Sequence, residues 1–70
     1  MTAEAVQTLN RARASLARAR DGLARRIAGM DPSPVTMAED LTRILVAIEA
    51  VDRALTAEGH PYIPPDLAAG

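Results

Sequence analysis

The chain has 70 residues, no cysteine, one histidine and one aromatic residue, and its 8 Arg against 9 Asp and Glu leave a net charge of −1. That length allows one small domain, with no disulfide and no Cys/His cluster to staple it, and the near balance of charge gives no global field towards nucleic acid or acidic lipid. A core of this size supplies roughly 3–5 kcal/mol, so association with itself or with a larger protein is the expected route to a stable fold.

The spacing predicts a first helix over residues 2–28. Thr2 can accept a hydrogen bond at its start, and Glu4 lies in the first turn, where a negative charge suits the helix dipole. Ala, Leu and Arg dominate it, all strong helix formers. Arg25 and Arg26 occupy the last turn, and Gly29 follows where a left-handed cap is expected. Gly22 interrupts the run, either as a point of close helix approach or as a tolerated defect costing up to about 1 kcal/mol.

Residues 29–35 form the predicted turn, because Pro32 and Pro34 cannot continue either helix. A second helix over residues 36–58 has two candidate starts. Ser33 could cap it with Pro34 in the first helical position, or Thr36 and Glu39 could form a capping box. Gly59 is its expected C-terminal cap. Residues 60–70 carry Pro61, Pro64 and Pro65 and read as an extended tail. Tyr62 and Ile63 in that tail could dock on a partner or fold back over the open end of their own bundle.

The strongest pattern lies on the second helix. Met37, Leu41, Ile44, Ile48, Val51 and Leu55 recur at alternating spacings of four and three, the seam of a helix laid along another helix. Leu9, Leu16, Leu23 and Met30 recur every seventh residue on the first, beside Ala5, Ala12 and Ala19, with Val6 and Ile27 at the margins. The short connector forces an antiparallel return. Leu23 then meets Leu41 and Ile44, Leu16 meets Ile48, and Leu9 meets Leu55. Asp40 and Asp52 fall level with Arg26 and Arg13, while Glu39–Arg43 and Glu49–Arg53 have the spacing of stabilising pairs along one helix.

The second helix also has more apolar surface than one partner covers. Leu45 and Val46 point away from the seam, which predicts a contact with another chain, most simply two hairpins closing a four-helix bundle. The expected fold is therefore all-α: an antiparallel two-helix hairpin with an extended Pro-rich C-terminal tail, completed to a four-helix bundle by self-association as a dimer, with docking on a larger partner protein as the alternative.

Candidate chemistry is thin. His60 follows the predicted helix cap with no marked partner for base catalysis, and Tyr62 suits packing better than proton transfer. The carboxylates Glu39, Asp40, Glu49 and Asp52 lack the Glu-x-x-His pattern of a metal site in a helical bundle, and no glycine loop cradles phosphate. The expectation is a non-enzyme without cofactor or metal, acting as an adaptor, accessory subunit or small chaperone through Leu45, Val46, Tyr62 and Ile63. The alternative is nucleic-acid binding by Arg11, Arg18 and Arg25, which form a stripe opposite the leucines. Glu4 and Asp21 interrupt that stripe, and no aromatic is interleaved for base stacking. No apolar run is long enough to span a membrane, and the first five residues do not read as a secretory signal, so the cytoplasm is the expected location.

Overall fold

The computed structural model describes residues 2–62, and these form two α-helices in a hairpin. Helix α1 spans Ala3–Ala28 and α2 spans Val35–Ala57. Among the described residues there is no strand.

Helix α1 begins as its sequence predicts. The Thr2 hydroxyl accepts from the Ala5 backbone N–H at 3.1 Å, satisfying one of the donors a helix start leaves free. Its far end departs from expectation. Gly29 is right-handed (φ −82°, ψ −4°), and its N–H is shared between the carbonyls of Arg25 and Arg26 at 3.2 Å each. The Met30 N–H then reaches the Ile27 carbonyl at 3.0 Å. The last turn tightens rather than reversing, and Pro32 and Pro34 make continuation impossible. The Asp31–Pro32 peptide is cis.

Neither predicted start of α2 is used. Pro34 itself is the cap residue, extended at φ −63°, ψ 141°, and no side chain caps the helix. Met37 and Ala38 instead donate backbone bonds to the Pro34 carbonyl at 3.1 and 3.4 Å. Thr36 and Glu39 are already inside the first turns, so they cannot frame it as a capping box.

The C-terminal end of α2 is closed by a Schellman arrangement. The Gly59 N–H bonds to the Thr56 carbonyl at 3.0 Å and the His60 N–H to the Leu55 carbonyl at 2.8 Å, with Gly59 left-handed at φ 78°. That reversal turns the chain back along the hairpin, and it requires a residue without a β-carbon penalty.

The two seams meet in the predicted antiparallel sense. Among the described residues, Val6, Leu23, Ile48 and Leu55 are the buried side chains, Leu55 having no exposure at all. Leu9, Leu16, Met37, Leu41, Ile44 and Val51 are half-buried around them. Val6 therefore belongs to the core and not to its margin. Ala5 and Ala12 are half-buried, whereas Ala19 is exposed. Ile63 and the rest of the tail lie outside the described residues.

Candidate functional site

The register of the hairpin is marked by one ion pair. Arg13 Nε lies 3.0 Å from Asp52 Oδ1, and Nη2 lies 3.4 Å from Oδ2, so the planar guanidinium engages both carboxylate oxygens. Arg13 precedes Leu16 by three residues and Asp52 follows Ile48 by four, which agrees with Leu16 lying beside Ile48. Tyr62, brought back by the turn at Gly59, places its ring 3.9 Å below the same guanidinium. Arg13 is thus held from two sides, by a carboxylate on α2 and by an aromatic face. The hydrogen bond from Asp52 raises the Arg13 pKa above its ordinary value, with partial burial opposing and the charge of Asp52 assisting. The guanidinium is a structural clasp and carries no labile proton for chemistry.

The other charges are arranged more locally than their spacing implied. Arg43 turns to Asp40 at 3.3 Å and not to Glu39. Arg20 takes its neighbour Asp21 at 3.0 Å. No ion pair joins Glu49 to Arg53 among the described residues. Asp40 and Arg26 do come to the same place, on the rim of a shallow groove near the turn, but Asp40 is occupied by Arg43. Leu23 and Ile44 line that groove together, with Gly22 at its edge. A β-carbon built at Gly22 would meet nothing within 4 Å, so no helix approaches closely there. The exposed Ala19 and bare Gly22 are what leave this groove open.

The outer face of α2 is the most conspicuous surface. Leu45 is 45% exposed and Val46 54%, although they sit at the centre of a helix whose other side carries the core. Val35, 72% exposed, lies on the same stripe as Val46, since eleven residues make close to three turns. Arg11, Arg18 and Arg25 are exposed along α1, with no ion pair to any of them among the described residues. His60 is exposed, and its backbone N–H serves the helix cap. Among the described residues no group of three or more His, Cys, Asp or Glu is placed to hold a metal ion, and no helix is long and apolar enough to cross a membrane.

Two features escaped sequence reasoning. Val6 lies three residues before Leu9 of the leucine track, which was the available signal for its burial. The stacking of Tyr62 on Arg13 had no signal, because it depends on the path taken after Gly59. Comparison of the chain with family models, with curated proteins and with solved structures found no match.

Proposed function

We propose that this chain is a non-catalytic protein–protein interaction module, of the kind that serves as an adaptor, accessory subunit or small chaperone, and that its contact surface is the outer face of α2. The observation that carries this reading is the exposure at mid-helix of Val46, opposite the seam, and of Leu45, on the flank beside it. Two such side chains side by side are the start of an apolar contact patch, and burying each fully yields about 1.5–3 kcal/mol. That gain matters to a hairpin with four buried side chains among the described residues. Covering that second face gives α2 apolar contacts on two sides.

The test compares Leu45→Glu and Val46→Glu with Arg18→Glu by light scattering after size exclusion and by capture of partners from the native host. The first two abolish assembly and Arg18→Glu leaves it intact. Unchanged assembly in both α2 variants rejects the reading.

A second reading is favoured by three exposed arginines at seven-residue spacing, with no ion pair among the described residues, a stripe suited to lying along phosphates. It requires binding that falls steeply with salt, and a shallower slope when Arg11, Arg18 or Arg25 is replaced. Absence of binding at low ionic strength removes it.

A further inference from the structure

We infer that the occupant of the α2 outer face is a second copy of this chain, set antiparallel about a twofold axis that passes beside Val46. The inference rests on the contact-face reading above and names the partner for it. Glu39 and Arg53 lie seven residues before and seven after Val46, on the same stripe of the helix. Both are exposed, and neither has an ion-pair partner among the described residues.

A twofold axis that reverses the helix brings a residue seven before the centre opposite the residue seven after it on the other copy. Glu39 then faces the partner's Arg53, and Arg53 faces the partner's Glu39. Val46 meets its own equivalent. Leu45 and the partner's Leu45 fall on the same flank, about 100° round the helix from Val46, so they border the central pair of valines on one side. Thr42 falls level with the partner's Ala50, and Val35 with the partner's Ala57, with no bulky pair to hold the helices apart. Parallel pairing in register has the opposite result, because it sets Glu39 against Glu39 and Arg53 against Arg53. The face is complementary to itself in one direction only.

The remaining acidic pair placed symmetrically about Val46 does not disturb this arrangement. Asp40 and Asp52 are both six residues from it, but Asp52 is turned to Arg13 on α1 and Asp40 to Arg43. The core side of each hairpin is untouched, so the assembly is a layer of four helices with the two α2 helices innermost.

The test is a charge swap read by sedimentation and light scattering. The parent is a dimer. Glu39→Arg alone sets Arg against Arg, Arg53→Glu alone sets Glu against Glu, and each weakens the dimer by at least about tenfold. Mixing the two single variants restores a dimer between unlike chains, as does combining both changes in one chain. Circular dichroism confirms that the exposed substitutions leave the helices formed. Single variants that dimerise as tightly as the parent, or a mixture that stays dissociated, overturn the proposal. A monomeric parent that captures a larger protein, and loses it with Val46→Glu, overturns the second copy as occupant while leaving the contact face standing. A Val46→Glu variant that dimerises like the parent removes both.

Discussion

Arg13 on α1 and Asp52 on α2, 39 residues apart in the chain, are joined by two hydrogen bonds of 3.0 and 3.4 Å. The Arg13 side chain is 16% exposed and that of Asp52 38%, so the pair is partly shielded from water at one end only. A double-mutant cycle of Arg13→Ala and Asp52→Ala in urea should give a coupling of about 0.5–1 kcal/mol, the upper part of the range for such pairs. A coupling indistinguishable from zero would show that the pair follows the register without supporting it.

The pH dependence of that contribution has a definite sign. Arg13 holds its proton more tightly folded than unfolded. Its contribution is therefore complete below the unfolded arginine pKa and is lost only as the pH rises through the folded value. Across about pH 6–9 the stability difference between the parent and Arg13→Gln stays constant, because arginine titrates far above that window. Urea titrations at several pH values check this, and a slope within the window would assign the difference to another titrating group.

Tyr62 acts on the same guanidinium through its ring. Tyr62→Ala should lower stability by about 0.5–1 kcal/mol, whereas Tyr62→Phe keeps the ring and most of that contribution. Equal losses in thermal melts of the two variants would place the effect in the hydroxyl instead.

Among the described residues, Leu55 is the one side chain with no exposure. Leu55→Ala should cost about 2–5 kcal/mol, comparable with everything a core of this size supplies. The expected outcome by circular dichroism is a chain without a cooperative melt. A sharp transition close to that of the parent would mean that stability comes mainly from elsewhere.

The glycines predict opposite effects from the same substitution. Gly22→Ala adds a methyl into open space in mid-helix and should stabilise by up to about 1 kcal/mol. Gly59→Ala must adopt φ 78° and should destabilise by about 1–2 kcal/mol. Melting temperatures that move in opposite directions are the check, at several degrees per kcal/mol for a chain this short.

The hairpin was legible because its determinants are local or periodic. The heptad spacing of Leu9, Leu16 and Leu23 and the seam from Met37 to Leu55 fix which faces meet, and the proline turn fixes the direction. Gly59 was legible for the same reason, a left-handed cap having a steric requirement that sequence displays. The start of α2 was not. Ser33 and Thr36 both carry a suitable oxygen, but the choice fell to the extended backbone of Pro34. Gly29 carried the right residue type, yet the helix ended by tightening its last turn. Of the candidate surface, Leu45 and Val46 could be read from the helical period. The groove beside Gly22 could not, because it arises where an alanine and a residue with no side chain leave space unfilled.

The turn at Gly59 also sets where the hairpin can be handled. By Tyr62 the chain has come back over Arg13, against α1, and away from the side of α2 that carries Val46. A surface-immobilised or reporter-linked form anchored at Tyr62 would hold α1 towards its support and leave α2 facing outward. Among the described residues the molecule thus has a front and a back: one side receives the returning segment, and the other presents Val35 and Val46.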